Sequence, residues 1–287
     1  MTLARPCWLD GQWLNVDEAR VSVMDRGFLF GDGVYEVLPV YARRPFRLEE
    51  HLRRLQQSLD GIRLANPLRP DEWHRLIAAA IERAPQADSA LYLQITRGSA
   101  PVRNHAFPAT VTPTVFLLVE ELTPPPTAWA RDGVSAVSAA DIRWLHCQLK
   151  TTSLLANCLL RQKAVDAGCL ETLLFRDGFL TEGAASSIFV VRDGVLLAPM
   201  KNHLMLPGIT YDIVLELAAA NGLPYAVRDI HADEVRDADE LWLASSTKEV
   251  QPIVVLDGQA IGSGRPGPVF ARMHAWYQDF KRRGMHG

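Results

Sequence analysis

Two neighbouring segments indicate the fold: GVYEVLPVY at residues 33–41 and LEEHLRRLQQSLDGIRL at residues 48–64. The first segment is rich in β-branched and aromatic residues and predicts a strand. The second segment carries apolar residues about every 3.6 positions and predicts an amphipathic helix. Strands and helices are mixed in this way along the rest of the chain without regular alternation, which favours an α+β fold.

Composition excludes several classes of protein. The 287 residues are 48% hydrophobic and 22% charged, so we expect an ordered chain with a sizeable core. The formal net charge of −3 argues against a general nucleic-acid binder. No apolar run approaches the roughly 20 residues that span a bilayer, and the first residues lack the apolar segment of a signal peptide. We therefore expect a cytoplasmic protein with no nucleic-acid or membrane partner.

A proline-rich segment predicts the domain boundary. Residues 123–127 read TPPPT, and three prolines continue neither a helix nor a central strand, so this segment predicts a stiff, extended linker. The expected domains are an N-terminal α/β domain at residues 1–122, a linker at 123–133 and a C-terminal domain at 134–287. The four cysteines form no CxxC pair and no HExxH occurs, so we predict neither a disulfide framework nor a metal site.

Two charged residues stand where they could carry chemistry. Lys150, one of only five lysines, falls between a predicted strand and an apolar helix. Burial there would lower the pKa of the amine and make it nucleophilic, although a lysine whose charged end reaches solvent fits the same pattern. Glu182 precedes a turn of small residues and could act as the counter-ion of a protonated heterocycle. A solvated turn glutamate is the alternative.

Two turns and one loop could bind anions. The turn LPGIT at residues 206–210 leads into a predicted helix, whose first N–H groups favour a phosphate. Ser245, Ser246 and Thr247 end an apolar strand and could donate to the same group. In the loop at residues 96–108, Arg103 and His105 stand two apart, so in an extended segment both point the same way and could bind a carboxylate. No Walker loop or GxGxxG is present, which disfavours P-loop and dinucleotide-binding enzymes.

Taken together, these motifs resemble the class IV aminotransferases, the fold type IV enzymes that use pyridoxal 5′-phosphate, and most of all their D-amino acid aminotransferases. The resemblance covers nearly the whole chain, and its motifs occur in the family's order: DRGFLFGDGVYEVLPVY, TRGSAPVRNHAFP, DIRWLHCQLKTTSLL, TEGAASSIF, LPGIT and DELWLASSTKEV. It implies a two-domain fold type IV enzyme whose C-terminal domain binds the cofactor.

The resemblance also implies roles for individual residues. Lys150 would bind pyridoxal 5′-phosphate as a Schiff base and move the substrate proton, Glu182 would pair with the pyridine nitrogen, and Tyr35 would complete the catalytic set beside the cofactor and the substrate. Arg103 and His105 would bind the substrate carboxylate near the interface of a homodimer. The phosphate would be bound by one arginine and four turn residues: Arg54, Ile209, Thr210, Ser245 and Ser246.

The implied activity is a ping-pong exchange of an amino group between a D-amino acid, such as D-alanine or D-glutamate, and pyruvate or 2-oxoglutarate. A branched-chain L-amino acid aminotransferase and an aminodeoxychorismate lyase share the scaffold and remain alternatives. The chain departs from the family's D-amino acid enzymes at two points. Two hydroxyls are missing at Ala184 and Ala185, and the carboxylate loop is one residue longer, with Val102 before Arg103.

Overall fold

The computed structural model describes residues 5–110 and 112–286. The chain divides into two compact units. The first comprises Met1–Thr123 together with Leu149–Leu154, and the second comprises Pro124–Gln148 together with Leu155–Gly287. Each unit contains its own β-sheet and helices, as an α+β chain requires.

The first unit has a six-stranded antiparallel sheet in the order β2-β1-β6-β5-β3-β4. Its elements follow in chain order: β1 (Pro6–Leu9), β2 (Gln12–Asn15), α1 (Arg26–Phe30), β3 (Gly33–Tyr41), β4 (Arg44–Pro45), α2 (Leu48–Gly61), α3 (Pro70–Arg83), β5 (Ser89–Thr96) and β6 (Thr114–Glu121). The turn at Asp10–Gly11 joins β1 and β2, and the predicted strand and helix at residues 33–64 are β3 and α2.

The core of the first unit lies between its sheet and the helices α2 and α3. Successive side chains of a strand point to opposite faces of the sheet, so Val34, Leu38 and Val40 of β3 share one face. They belong to one buried cluster with Leu55 and Leu59 of α2. Burying each such side chain contributes roughly 2 kcal/mol. Glu36 falls on the same face as Val34 and Leu38, which places a carboxylate in this apolar setting.

The second unit has a nine-stranded mixed sheet in the order β12-β11-β10-β13-β14-β7-β8-β9, with β15 paired to β14. Its elements begin with α4 (Thr127–Asp132), β7 (Val134–Ala140), α5 (Leu155–Asp166), β8 (Glu171–Arg176), β9 (Phe179–Gly183), β10 (Ser187–Arg192) and β11 (Val195–Ala198). They continue with α6 (Ile209–Ala220), β12 (Tyr225–Val227), α7 (Ala232–Arg236), β13 (Glu240–Ser245), β14 (Glu249–Leu256), β15 (Gln259–Ala260) and α8 (Pro268–His286).

Two hairpins of the second unit share one turn sequence. β8 pairs with β9, and β10 pairs with β11, each through an Arg-Asp-Gly turn. Asp177 and Gly178 have φ values of 51° and 84°, the left-handed conformation that a tight hairpin turn needs. The central strands β10 and β13 are buried along almost their whole length, and Ile188, Val190, Leu241 and Leu243 belong to one buried cluster of this unit.

Two features differ from the predicted domain organisation. Residues 127–132, inside the segment expected to be an extended linker, form α4, because the proline run ends at Pro126 and leaves the following residues able to donate helical hydrogen bonds. Residues 149–154, expected in the C-terminal domain, lie in the first unit. A bridge between Val34 and Thr151 joins them to β3. No helix in the described part of the chain has the length and hydropathy to cross a membrane.

Candidate active site

Lys150 lies beside β3 in the first unit. Its backbone carbonyl accepts a hydrogen bond from the Tyr35 backbone N–H at 3.0 Å, and its own backbone N–H donates to Ser58 Oγ of α2 at 3.1 Å. Thr152 Oγ1 donates to the Gly31 carbonyl at 3.0 Å and fixes the segment on its other side. The half-buried Lys150 side chain reaches the Tyr35 ring, with Nζ 4.2 Å from the ring centroid. The structure therefore brings these two predicted residues together.

Arg54 is held by a buried carboxylate that the sequence analysis did not assign. Its Nε donates to Glu36 Oε1 at 2.8 Å and its Nη2 donates to Glu36 Oε2 at 2.7 Å. His51, one helical turn earlier on α2, places Nδ1 2.8 Å from Glu36 Oε2. All three side chains are buried. The bidentate pair fixes the plane of the Arg54 guanidinium.

The charge states of this buried cluster follow from its geometry. Burial opposes ionisation of Glu36, but the charge and hydrogen bonds of Arg54 prevail and hold the pKa of this carboxyl well below its usual range. Burial lowers the pKa of His51, against the hydrogen bond to Glu36. His51 is therefore neutral near pH 7. Because an ionised carboxylate only accepts hydrogen bonds, we assign the proton of His51 to Nδ1.

Arg103 and His105 are exposed in a loop against the end of α1. The Arg103 guanidinium carbon lies 5.0 Å from the centroid of the Phe30 ring, and the His105 ring centroid lies 5.2 Å from it. Both members of the predicted carboxylate-binding pair therefore contact one aromatic side chain. Such contacts orient a guanidinium while leaving its N–H groups able to donate.

A buried arginine holds the backbone of this loop. Arg26 Nη1 donates to the carbonyl oxygens of Asn104 at 2.5 Å and Ala106 at 3.3 Å, and Nη2 donates to that of His105 at 3.1 Å. Its Nε donates to Asp32 Oδ2 at 2.7 Å, which fixes the guanidinium in turn. One side chain thus engages three consecutive carbonyls directly after Arg103.

Glu182, in the second unit, is buried at the end of β9 and pairs with Arg143. Arg143 Nη1 donates to Glu182 Oε1, and the backbone N–H of Leu206 donates to the same oxygen at 3.2 Å. Arg143 also donates two hydrogen bonds to Asp141, from Nε to Oδ1 at 2.9 Å and from Nη2 to Oδ2 at 2.8 Å. Because Arg143 is shared between two carboxylates, burial prevails and raises the pKa of Glu182 to about 7.

The remaining predicted residues lie at two turns of the second unit. Gly208 is the N-cap of α6 and has no side chain with which to accept the first-turn N–H groups at Ile209 and Thr210. A helix start of this kind suits an anion. Ser245 and Ser246 are half-buried where β13 ends, and Ser245 Oγ accepts the backbone N–H of Lys248 at 3.1 Å. These donors fit a phosphate group, and the buried acid at Glu182 fits a heterocyclic nitrogen.

One departure from the family's pattern has a structural reason. Ala184 is buried against Leu160 and Leu174, where a serine hydroxyl would lose its hydration among leucine side chains. Its backbone carbonyl accepts the Asn157 side-chain amide at 2.9 Å, so the turn is held without that hydroxyl. Ala185 is exposed.

Glu36, His51 and Arg143 were not among the residues predicted from the sequence. A signal for Glu36 was present, because a carboxylate interrupts the apolar face of β3 and so demands a cation nearby. His51 and Arg54 stand three apart on the buried side of α2, the spacing that places two side chains on one helix face. In the described residues no group of three histidine, cysteine or acidic side chains is placed to hold a metal ion.

The chain belongs to the amino-transferase class IV family, which it matches over residues 33–256. The predicted family and the predicted fold type IV, α+β architecture are thereby confirmed. The pattern that carried the resemblance, six motifs in a fixed order, falls almost entirely inside the matched range.

The chain is similar to individual members of this family in sequence and in structure. The chain is 39% identical to the D-alanine aminotransferase of Bacillus licheniformis over 260 residues, which is 91% of each chain. Among solved structures, it is similar to the branched-chain amino acid aminotransferase of T.th. with pyridoxamine 5′-phosphate, with a TM-score of 0.89 and 26% identity over 96% of this chain and 93% of that one. It is also similar to the 4-amino-4-deoxychorismate lyase of Pseudomonas aeruginosa, with a TM-score of 0.81 and 29% identity over 95% and 98% of the two chains.

Proposed function

We propose that this chain is a pyridoxal 5′-phosphate-dependent transaminase that exchanges the amino group between a D-amino acid and a 2-oxo acid such as pyruvate or 2-oxoglutarate. The relative most similar in sequence among those described above is a D-alanine aminotransferase, and the match extends over nine-tenths of both chains. The branched-chain aminotransferase and the lyase share the fold at lower identity.

One observation carries the choice of a D-amino acid enzyme. Arg103 and His105 both contact Phe30, and Arg26 holds the backbone that joins and follows them. A guanidinium and an imidazole presented side by side form a binding site for a carboxylate, because the guanidinium offers paired donors. A transaminase must bind the carboxylate of both an amino acid and a 2-oxo acid, so it uses this pair in each half-reaction.

The cofactor assignment rests on the roles that the family resemblance implies for residues of each unit. Lys150 and Arg54 in the first unit, and Glu182 with the start of α6 in the second, are the groups that would hold it. When bound, pyridoxal 5′-phosphate supplies an electron sink for the bonds at the substrate Cα. We assign Glu182 to the ring nitrogen because its pKa, raised to about 7 by burial, lets it hold or release a proton near neutral pH.

Lys150 would act as the proton carrier. Its amine is the basic group placed beside Tyr35, and in this role it would remove the proton from the substrate Cα and deliver it to the cofactor carbon within the same half-reaction. Tyr35 would orient that amine through its ring face. Glu36 and His51 would fix Arg54, and Arg54 with the α6 and Ser245–Ser246 donors would bind the phosphate.

We also propose that the enzyme is a homodimer whose interface includes the Arg103 loop. Large apolar side chains are exposed on this loop and on α1 and the segment that leads into it, whose Met24 carbonyl accepts the Ala100 N–H: Val102 is 65% exposed, Val23 68% and Phe28 72%. Exposed apolar groups that cluster on one region are typical of an interaction surface. The cytoplasmic location of the enzyme stays a prediction.

The first experiment is the visible absorbance spectrum of the purified protein, followed by separate additions of D-alanine and L-leucine. We expect a yellow band that D-alanine bleaches with release of pyruvate and that 2-oxoglutarate restores. Bleaching by L-leucine alone would assign the branched-chain activity instead. A band that neither compound alters, together with pyruvate release from aminodeoxychorismate, would assign the lyase activity, and the lack of any band would overturn the cofactor assignment.

A further inference from the structure

A second buried carboxylate lies in the second unit, away from the Arg143–Glu182 pair. Glu171, the first residue of β8, has a fully buried side chain. Its Oε1 accepts the backbone N–H of Thr172 at 3.0 Å, and its Oε2 accepts Ser186 Oγ at 2.7 Å and Lys248 Nζ at 3.0 Å. A buried carboxylate is stable only with such partners. Lys248 and Ser186 therefore stabilise the charge of Glu171, and Glu171 in turn fixes their side chains.

Glu171 fixes the turn that directly follows Glu182. Ser186 closes that turn, since its carbonyl accepts the Gly183 backbone N–H at 2.7 Å. A Cβ atom at Gly183 would come within 2.6 Å of Ser186 Oγ and 3.1 Å of Glu171 Cδ. The carboxylate and the hydroxyl therefore occupy the space beside the glycine. Glu171 is therefore packed against the backbone adjoining Glu182 and bonded to the residue that closes its turn.

Lys248 fixes a different turn, the one between β13 and β14. Its backbone N–H donates to Ser245 Oγ, and its carbonyl accepts the side-chain amide of Gln251 at 2.8 Å. The Lys248 backbone is thus held in the turn that contains Ser245 and Ser246. Its side chain, only 19% exposed, leaves this turn and ends at Glu171.

We propose that Lys248 and Glu171 are positioning residues that keep the Ser245–Ser246 turn in register with the turn that follows Glu182. The inference rests on the proposed function, in which these two turns carry the phosphate donors and the partner of the ring nitrogen. Lys248 and Glu171 act through the turns and need no contact with the cofactor. A cofactor contacted at both ends requires a fixed spacing between those turns, and the ion pair between them sets it.

The test measures how tightly the protein without cofactor binds pyridoxamine 5′-phosphate. This amine form makes no covalent bond with Lys150, so its Kd reports the non-covalent contacts alone. The dissociation constant is measured by equilibrium dialysis for the wild type, Lys248→Met, Glu171→Gln, the double variant and Lys248→Arg. Lys163→Met is the matched control, because Lys163 is exposed on α5.

We expect Lys248→Met and Glu171→Gln each to raise the Kd about tenfold or more, because each breaks the ion pair that links the turns. The double variant should be no weaker than the worse single variant, since the link can be lost only once. Lys248→Arg should stay within about threefold of the wild type, because a guanidinium can still reach the carboxylate. Lys163→Met should not change the Kd.

The outcomes separate this inference from the proposed function. If the wild type does not bind pyridoxamine 5′-phosphate, both are overturned. If it binds and Lys248→Met binds equally well, or if the two single effects add in the double variant, only the positioning role is overturned. Thermal unfolding of each variant shows whether it is folded. Should Lys248→Met be unfolded, Ser186→Ala decides, because it keeps the ion pair and removes only the hydrogen bond to the Glu182 turn. A Kd raised about threefold or more then supports the inference, and an unchanged Kd overturns it.

Discussion

The side-chain Nζ of Lys150 lies 4.2 Å from the centroid of the Tyr35 ring, and the Tyr35 backbone N–H donates to the Lys150 carbonyl. The residue next to Tyr35 on β3 is Glu36, whose side chain points to the opposite face of the strand and pairs with Arg54. Two adjacent residues of one strand therefore fix two of the predicted cofactor-binding groups. β3 is accordingly the element on which the candidate site of the first unit depends.

Replacing Lys150 with alanine tests the proton carrier. We expect Lys150→Ala to lack the yellow absorbance band and to lose transamination by about a thousandfold or more, because the base that moves the Cα proton is gone. Its far-ultraviolet circular dichroism should match the wild type, since the half-buried side chain is not part of the core. The control is Lys163→Ala. Wild-type turnover in Lys150→Ala would remove this lysine from the mechanism.

Replacing Glu36 with glutamine tests the buried pair with Arg54. The variant leaves a buried guanidinium without its carboxylate, so at pH 7 we expect a loss of about 3 kcal/mol in the free energy of unfolding, measured with urea. The Glu36 pKa is lowered by Arg54 in the folded chain. The stability that Glu36 contributes is therefore fully present above its unfolded pKa, near 4.5, and is lost progressively as the pH falls from there toward the lower folded pKa.

The difference in the free energy of unfolding between the wild type and Glu36→Gln should accordingly be smaller at pH 3 than at pH 7. The control is Glu49→Gln, an exposed glutamate of α2, which we expect to change stability by less than about 0.5 kcal/mol. A difference that stays constant from pH 7 to pH 3 would contradict the assigned charge state of Glu36.

The sequence predicted the residues proposed to bind the cofactor and substrate, but it did not predict the residues that position their side chains. Lys150 and Glu182 stand beside turns and helices whose pattern is visible along the chain. Glu36 and Arg54 are separated by 18 positions, and Glu171 and Lys248 by 77 positions. Their pairing depends on which strand faces which helix or turn, and that is decided by tertiary packing. Arg103 and His105 were predicted as a pair, but the clamp from Arg26 to their backbone depends on how the loop folds back on α1.

Replacing Arg103 with alanine tests the carboxylate site. Charge-assisted hydrogen bonds from a guanidinium contribute about 1.5–3 kcal/mol, so we expect KM for 2-oxoglutarate and for D-glutamate to rise about 10- to 100-fold. The kcat should change less, because Arg103 binds substrate and moves no proton. The control is Arg53→Ala, which removes an exposed arginine of α2. Unchanged KM values for both substrates would remove Arg103 from the binding site.

Replacing Glu182 with glutamine tests the charge state of the buried acid through the pH dependence of stability. Burial raises the folded pKa of Glu182 to about 7, against an ordinary value of 4.5. Between these values the folded chain holds a proton that the unfolded chain has released. The stabilising effect of that proton is complete below pH 4.5 and is lost as the pH rises through 7. The glutamine variant has no such group.

Urea unfolding of the cofactor-free proteins from pH 4 to pH 8 measures the difference. Over this range we expect the stability of Glu182→Gln relative to the wild type to rise by about 3 kcal/mol, since one pKa unit corresponds to about 1.4 kcal/mol. Asp141 and Arg143 are present in both proteins, so their direct titration cancels. The control is Glu121→Gln, at an exposed position on β6, whose stability relative to the wild type should not change over this pH range. A constant difference for Glu182→Gln as well would mean that Arg143 keeps Glu182 ionised throughout, and the acid would then serve only as a fixed counter-ion.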